Sequence, residues 1–328
     1  MGDNDEAFQE TPNSTSLITS CLVSEDYKRI LLPLTYSVVF VVGLLLNGVV
    51  LWMMCCRTKY WSCSMIYLTN LAVADLLNVL PLPLLIVYYC MDDRWMFGGV
   101  ACKLVRFFFY ASLYASILFL TCISVHRFLG VCYPIRCIDY TTKKIAILGS
   151  VIAWILVVVQ VFPTLKFSNT GLINNQTVCY DLTEPHNFNQ YFPYGIALNI
   201  TGFLIPFAII SMCSCSMIRT LSKFEESITV GKESRRKSIR TIVVVCIIFA
   251  ICYVPFHVTR TIYMFVRVYM PLKDCSVLNF VTMSYKIWRP IVNFNSCINP
   301  VLFFLLTDRN RTRFLAELGK NSAHPSAK

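Results

Sequence analysis

Long apolar runs dominate this chain and leave few folds open to it. Each run is long enough to cross the roughly 30 Å hydrocarbon core of a bilayer as a helix. In hydrocarbon every backbone N–H and C=O must be paired within the protein, and a helix does this inside one segment. We therefore predict an all-α membrane protein, a seven-transmembrane helix bundle over residues 30–305. The runs are 30–56, 65–91, 99–132, 144–166, 191–221, 237–268 and 276–305.

The composition also indicates that lipid surrounds much of the chain. Of the 328 residues, 56% are hydrophobic and only 14% are charged, and the mean hydropathy is +0.60. A soluble domain usually carries about 25% charged residues, so a water-exposed surface of this composition is disfavoured. No catalytic triad, cluster of metal ligands or phosphate-cradling glycine loop is visible, and we do not expect an enzyme.

The formal net charge of +11 is distributed as a topology signal. Basic residues recur on every second connection between the apolar runs, whereas the alternate connections carry acids. Cytoplasmic loops are enriched in Lys and Arg, so the basic excess faces the anionic inner leaflet and nucleic acid is not an expected partner. The basic connections hold Arg57 and Lys59; Arg127, Arg136, Lys143 and Lys144; Lys232, Arg235, Arg236, Lys237 and Arg240; and Arg309, Arg311 and Arg313.

This charge pattern predicts an extracellular N-terminus, a cytoplasmic C-terminus and an odd number of spans. Residues 1–29 form the predicted extracellular tail, which is polar and acidic and lacks the apolar core of a signal peptide. Residues 306–328 form the predicted cytoplasmic part. It begins with a short amphipathic helix, over 306–318, that would lie along the inner membrane surface.

Glycosylation sequons and cysteines on the outer side agree with this orientation. The sequons predict glycans at Asn13 and Asn175. Of the sixteen cysteines, four lie on the outer side, and four cysteines allow three pairings. We expect one bond to pin the loop between helices 4 and 5 over the bundle, and a second to tie the N-terminal tail to the loop before helix 7. The expected pairs are Cys102 with Cys179 and Cys21 with Cys275.

Motifs in the predicted helices resemble the rhodopsin-like (class A) G-protein-coupled receptors over nearly the whole chain. They are Asn47 in helix 1, the run Leu71–Asp75 in helix 2, Cys102 and the run His126–Phe128 at the two ends of helix 3, Trp154 in helix 4, Pro206 in helix 5, Phe249 and Pro255 in helix 6, and Asn299 with Pro300 in helix 7.

Three stretches, 116–124, 255–260 and 285–290, are similar to the metabotropic nucleotide receptors, the G-protein-coupled purinoceptors. The pattern resembles their Gq-coupled branch. This resemblance implies a plasma-membrane receptor for an extracellular nucleotide (UTP, ATP, UDP or ADP) that activates Gq and phospholipase C and raises intracellular calcium. A Gα subunit and arrestin would be its intracellular partners.

Cationic side chains in the outer parts of helices 3, 6 and 7 are the candidate ligand site. Charge within a span is costly and needs a partner or a watery cavity. Snorkelling to the interface, or pairing with a loop acid such as Asp181, would account for one or two such residues. A whole cluster favours a pocket for a polyanion, because guanidinium groups bind phosphate through forked hydrogen bonds. The five cations, to which the resemblance assigns the phosphates, are Arg106, His257, Arg260, Lys286 and Arg289.

Two tyrosines, Tyr110 and Tyr114, lie four apart on helix 3 and would flank a base or ribose, or else pack between helices. Asp181 is expected to pair with an arginine more than to contact ligand. Arg260 resembles receptors that favour triphosphates, whereas the run Cys179–Leu182 resembles those that favour uridine diphosphate. The preferred nucleotide therefore stays open.

The resemblance also implies a polar cluster that would hold a sodium ion as an allosteric modulator, with no other cofactor. Its members are Asp75, Ser116, Asn295 and Asn299. A buried carboxylate needs such a partner, although hydrogen-bonded water alone would also serve.

The intracellular side departs from the family pattern. His126 replaces the usual acid beside Arg127, and Arg235 begins helix 6 in place of an acid. We therefore expect no inactive-state ionic clamp, and modest basal signalling. The Gα subunit would dock near Arg127, Lys232 and Arg236.

Two other functions remain open at this stage. A receptor of the same fold could bind another anionic ligand, such as a lipid mediator or a carboxylate, but five cations and two tyrosines favour phosphate. A channel or transporter is more remote, because no inverted repeat or intramembrane acidic relay is visible.

Overall fold

The computed structural model describes residues 27–58, 61–134, 142–173, 175–223, 232–270 and 275–306. Within them the chain is almost entirely helical, with one short hairpin. The helices are α1 Tyr27–Trp52, α2 Cys63–Val79, α3 Leu82–Cys90, α4 Gly98–Cys132, α5 Lys143–Val161, α6 Thr164–Phe167, α7 Phe188–Asn199, α8 Ile205–Lys223, α9 Lys232–Ile248, α10 Val254–Tyr269, α11 Cys275–Val292 and α12 Asn295–Leu306; the strands are β1 Thr170–Ile173 and β2 Gln176–Cys179.

Six helical stretches of the described chain are long and apolar enough to cross a bilayer. They are Arg29–Arg57, Cys63–Cys90, Gly98–Cys132, Lys143–Phe167, Pro185–Ser222 and Ser238–Tyr269. Each corresponds to one of the first six predicted runs, so the prediction of apolar membrane helices is confirmed for these six.

The seventh apolar run forms two helices rather than one. α11 ends at Val292 and α12 begins at Asn295. In the turn between them, the backbone N–H of Asn293 donates to the carbonyl of Pro290 at 3.2 Å. This bond reaches back three residues, whereas an α-helical bond reaches back four. Proline lacks an N–H and disrupts the helix around it, which accounts for a break beside Pro290. A seventh crossing and the N-terminus-outside arrangement remain predictions. Leu306 is the last described residue, so the rest of the predicted surface helix over 306–318 lies outside the described residues.

Apolar side chains cover much of the outer surface as well as the core, and several polar side chains are buried between the helices. Leu45 is 63% exposed and Phe280 72%, as expected for residues in contact with lipid. Asn47, Asp75 and Asn299 are at most 1% exposed and lie between the helices. Because intramembrane polar groups are costly and tend to be functional, the interior of the bundle is where the site must be sought.

Two π-helical turns widen helices on the side where the candidate site lies. One, Ile200–Leu204, joins α7 to α8, and the other, Phe249–Tyr253, joins α9 to α10. Such turns frequently occur at functional sites. Here the Phe203 and Phe249 rings stack across the interface with centroids 6.4 Å apart.

The hairpin between α6 and α7 is pinned over the outer end of the bundle. The predicted disulfide joins Cys179, at the end of β2, to Cys102 in α4, with a Cα–Cα distance of 5.7 Å. The backbone N–H of Trp95 also donates to the carbonyl of Thr177 at 2.7 Å. Asn175 lies exposed in the hairpin turn, so a glycan attached there would extend into solvent. Asn13, Cys21 and the side chain of Cys275 lie outside the part of the chain that is described.

Candidate ligand-binding site

Arg106 fixes the loop after β2 to α4. Its side chain is fully buried. Nε donates to the carbonyl of Tyr180 at 3.1 Å, and Nη2 donates to the carbonyl of Cys179 at 3.0 Å. Nη2 is also 2.8 Å from Oδ1 of Asp181. The disulfide and this guanidinium together set the position of the Asp181 carboxylate.

Tyr180 is held at the same place by a close approach to β1. Its ring lies against Gly171, where an added Cβ would come within 2.5 Å of the ring and would force the ring to move. Burial, and secondarily the charge of Glu184, raises the pKa of the Tyr180 hydroxyl above its usual value. Beside Arg106 the loop therefore presents the Asp181 carboxylate and a neutral phenol.

Asp181 bridges two arginines from different helices. The same Oδ1 that pairs with Arg106 also pairs with Nη1 of Arg289 in α11. Arg289 is 4% exposed; it donates to the Tyr89 hydroxyl at 3.4 Å, and its guanidinium lies 5.7 Å from the centre of the Phe109 ring. The sequence predicted a loop acid paired with an arginine, and the structure gives this acid two.

Arg260, in α10, is surrounded by tyrosines. It donates to the Tyr114 hydroxyl at 2.9 Å and to the Tyr191 hydroxyl at 2.7 Å, and its guanidinium lies 5.0 Å from the centre of the Tyr110 ring. It is 1% exposed. Within the described residues no carboxylate pairs with it, and its buried Nε has no hydrogen-bond partner. The tyrosines solvate this cation without neutralising it.

Tyr114 can approach Arg260 because Gly202 leaves room for its ring. Gly202 lies in the π-helical turn before α8, and a Cβ there would collide with the Tyr114 ring. The wide turn and the missing side chain together admit the tyrosine. This contact explains locally how the sequence holds Arg260 in place.

His257 lies deeper than the other predicted cations. Its ring stacks flat on Phe203 with centroids 4.1 Å apart, and Nδ1 is 2.8 Å from Oδ1 of Asn199 in α7. Nε2 is buried without a partner. In this arrangement His257 ties α10 to α7 and does not reach the open cavity.

The buried charges of this site do not balance. Arg106, Arg260 and Arg289 are all buried, and within the described part of the chain Asp181 pairs with Arg106 and Arg289 but not with Arg260. Arginine stays protonated in proteins, so the three guanidiniums carry two more charges than this acid offsets. A buried unpaired charge is costly, and the site is therefore prepared for an anion.

An open cavity of about 410 Å³ adjoins this cluster, a size typical of small-molecule sites. Of the predicted site residues, Asp181, Lys286 and Arg289 line it. Arg106, Tyr110, Tyr114, His257 and Arg260 are not in its wall and lie behind it. Sequence reasoning missed several lining residues whose apolar or loop positions gave no signal: Tyr36, Tyr88, Tyr89, Asp92, Asp93, Phe188, Tyr263, Arg267 and Tyr285.

Below these cations, Asp75 is satisfied by neutral donors. It accepts hydrogen bonds from Ser116 Oγ and Ser296 Oγ, both at 3.2 Å, and from Asn299 Nδ2 at 3.0 Å. Asn295 reaches it only through Ser296, at 3.1 Å. Of the four predicted residues, Ser116 and Asn299 thus bond the Asp75 carboxylate directly. Ser296 was missed, although its spacing from Asn299 places the two on one helix face.

This cluster has the chemistry that a sodium ion requires. Hard cations prefer oxygen ligands, and the carboxylate and hydroxyls of Asp75, Ser116 and Ser296 supply them. Asn299 Oδ1 is buried there without a hydrogen-bond partner. The residues present therefore fit a small monovalent cation.

At the opposite end of α4, Arg127 has no carboxylate partner among the described side chains. His126 Nδ1 is 3.3 Å from the Ser64 hydroxyl of α2. Arg127 Nε is buried without a hydrogen bond. The side chains of Lys232, Arg235 and Arg236 are not among those described. The structure thus shows no carboxylate clamp on Arg127, and the absence of a helix-6 clamp remains a prediction.

Comparison with known proteins places this arrangement in a family. Residues 46–303 match the 7 transmembrane receptor (rhodopsin family) model. The chain is 45% identical to purinoceptor 3 of Meleagris gallopavo, over 93% of this chain and 94% of that protein. It is 44% identical to purinoceptor 6 of Rattus norvegicus (89% and 90%) and 40% identical to purinoceptor 4 of Homo sapiens (96% and 85%).

These matches confirm the resemblance drawn from the sequence, and with it a multi-pass plasma-membrane receptor that is not an enzyme. The chain belongs to the rhodopsin family of 7 transmembrane receptors and, within it, to the G-protein-coupled purinoceptors.

Proposed function

We propose that this chain is a receptor for an extracellular nucleotide that activates Gq and phospholipase C and raises intracellular calcium. The observation that carries the proposal is the charge imbalance at the outer end of the bundle, where three buried arginines face one carboxylate. The relatives are named purinoceptors, which supports a nucleotide as the anion.

A nucleotide meets the requirements of the site better than a simple anion does. Its phosphates are polyanionic, and guanidinium forks bind phosphate oxygens through paired hydrogen bonds. Lys286 and Arg289 line the cavity, together with Arg267, whose guanidinium lies 5.4 Å from the centre of the Phe188 ring. The surrounding tyrosine rings provide surfaces on which a base can stack. UTP, ATP, UDP and ADP all fit this description.

Activation follows from competition for the bridging arginines. Ligand phosphate would take Arg289 from Asp181 and then gain access to Arg260 behind the cavity wall. A ligand shifts a conformational equilibrium only through its differential affinity for the two states. A closed state with Asp181 on Arg289, and an open state with phosphate there, differ in that way.

The membrane arrangement and the intracellular partner complete the proposal. Seven spans over 30–305, with residues 1–29 outside and 306–328 inside, place the cavity on the extracellular side. Gα would dock beside His126, Arg127, Lys232 and Arg236, and arrestin would use the same face. The Asp75 cluster would hold sodium in the closed state.

Intracellular calcium in receptor-null cells, measured after apyrase treatment and washout, tests the function. Each of the four nucleotides is applied to cells that express the wild type, Arg260→Ala or Arg289→Ala. Arg94→Ala, at an exposed outer-side arginine that does not line the cavity, is the matched control. A response to a nucleotide that both site variants weaken and Arg94→Ala retains is expected. A receptor at the cell surface that responds to none of them would overturn the proposal.

A receptor of this fold for an anionic lipid is the alternative, and the same cells can test it. The cavity wall carries three cationic side chains, Lys286, Arg267 and Arg289, which suit a polyphosphate better than the single charge of a lipid carboxylate. Activation by a lipid mediator but by no nucleotide would favour this alternative.

A further inference from the structure

Two adjacent cysteines at the end of the first membrane helix stand apart from the other free thiols. Five free cysteines of the described chain are exposed, and all five lie in or beside membrane spans: Cys55, Cys56, Cys90, Cys215 and Cys246. Cys215 and Cys246 lie well inside their spans, and Cys90 ends a span on the side assigned to the exterior. Cys55 and Cys56 directly precede Arg57, the last residue of the first span, on the side assigned to the cytosol.

The local backbone turns this pair outward. Residues Met53–Arg57 form a π-helical turn in which Met53 and Met54 are buried, while Cys55 and Cys56 are exposed. The turn ends at Thr58, whose hydroxyl donates to the Met53 carbonyl at 3.2 Å. Both thiols are therefore presented together at a defined helix end, and neither is part of the packed interior.

The adjacent side chains mark this helix end as a membrane boundary. The Arg57 guanidinium lies over the Trp52 ring, 5.1 Å from its centre, and Trp52 is 46% exposed. Tryptophan and basic residues are typical of the membrane–water interface. The thiols thus lie where a bilayer ends, within reach of enzymes that act at the membrane surface.

An apolar stripe leads from the thiols into the bilayer. Val41, Leu45 and Trp52 are exposed on α1 at helical spacing. Between Leu45 and Trp52, a Cβ added at Gly48 would have no heavy atom within 4 Å, so the lipid-facing surface has a notch there. One leaflet of the hydrocarbon core, about 15 Å, corresponds to about ten residues of helix, the separation of Leu45 from Cys55. A long acyl chain attached at the thiols could lie along this stripe.

We infer that Cys55 and Cys56 form a site of S-acylation by long-chain fatty acid. The thiolate attacks the thioester carbonyl of a long-chain acyl-coenzyme A, delivered by a membrane acyltransferase. A new thioester forms on the cysteine, the bond to coenzyme A breaks, and coenzyme A leaves and takes up the thiol proton. The product fixes the first intracellular connection to the inner leaflet. The site depends on the N-terminus-outside arrangement and not on the identity of the ligand.

Metabolic labelling of the full-length receptor with an alkyne-tagged palmitate tests this site. Hydroxylamine cleaves thioesters, so a hydroxylamine-sensitive signal on the wild-type receptor is expected. Cys55→Ser/Cys56→Ser should remove nearly all of it, whereas Cys215→Ser should retain it. Surface expression and the calcium response show that each variant is folded, and acylation is read independently of them. No thioester signal on the wild type, or a signal that survives the double substitution, would overturn the inference.

Discussion

The outer cationic cluster and the Asp75 cluster are both buried and both carry uncompensated charge, but the charges have opposite signs. Around Arg260 and Arg289 the positive charges outnumber the single carboxylate of Asp181. Around Asp75 one carboxylate is held by neutral hydroxyl and amide donors. Hydrogen bonds lower the cost of burying a charge, but an opposite charge is needed to balance it.

We propose on this basis that the bundle binds two ligands of opposite sign. The outer cluster adjoins a cavity of about 410 Å³ and can receive a polyanion. The Asp75 cluster lies among packed helices and can receive only a small cation. Substitutions that change one cluster should therefore alter the response to one ligand class before the other.

Loss of Arg260 should have the largest effect. In Arg260→Ala we expect nucleotide potency in the calcium assay to fall about 100-fold, or about 2.8 kcal/mol, because the cation without a carboxylate partner is gone. Arg260→Lys keeps the charge but loses the fork, and should recover part of the potency. Unchanged potency in Arg260→Ala would remove this residue from the ligand site.

Loss of the bridging acid should weaken the unliganded receptor. Asp181→Asn leaves Arg106 and Arg289 buried without their shared partner. We expect a loss of about 2 kcal/mol in the free energy of unfolding, less than a fully buried pair would cost, since Asp181 is 28% exposed. Thermal unfolding of the purified receptor measures this.

The same variant separates two roles of Asp181. Bound nucleotide should raise the melting temperature of Asp181→Asn more than that of the wild type, because phosphate then replaces the missing charge. Glu184→Gln, a loop acid paired with exposed His186 at 3.2 Å, serves as the control. A smaller rise in Asp181→Asn than in the wild type would contradict the competition between Asp181 and phosphate.

The Asp75 cluster should distinguish sodium from potassium. We expect unliganded wild-type receptor to melt at a higher temperature in sodium chloride than in potassium chloride of equal ionic strength, because the groups around Asp75 are fully buried between α2, α4 and α12, which favours the smaller ion. Asp75→Asn should abolish the difference. Equal melting temperatures for the wild type in the two salts would favour the water-filled alternative.

The smallest expected effect is basal signalling. With no carboxylate on Arg127 among the described side chains, inositol phosphate output should modestly exceed that of untransfected cells after nucleotides are removed with apyrase. His126→Asp would supply the missing acid and should lower that output. Wild-type output equal to the untransfected background would count against the predicted absence of a clamp.

The membrane helices could be predicted from the sequence because an apolar run long enough to cross the bilayer must form a helix there. Six of the predicted runs form continuous helical stretches, but the interruption of the seventh at Asn293 depends on how backbone bonds rearrange around Pro290. Hydropathy does not report such rearrangements. The disulfide was expected between two of the cysteines that the charge pattern assigns to the outer side, although placement alone leaves three pairings open.

Within the site, the spacing of residues along the sequence predicted which side chains share a helix face, but not how deeply each one is buried. Lys286 and Arg289 were predicted to share a face, and both line the cavity. Tyr114 and His257 were expected at the ligand, yet they lie behind the wall, because the π-helical turns and Gly202 admit them into the interior. Tyr191, which contributes little to the hydropathy of its run, could be identified as a partner of Arg260 only from the structure.

Nucleotide affinity measured as a function of phosphate number tests the central claim most directly. Purified wild type and Arg260→Ala are compared for binding of a nucleoside and its mono-, di- and triphosphates. The charge imbalance predicts that wild-type affinity rises steeply once phosphates are present, and that Arg260→Ala loses most of this rise while nucleoside binding changes little. A nucleoside that binds the wild type as tightly as its phosphates do would contradict the account.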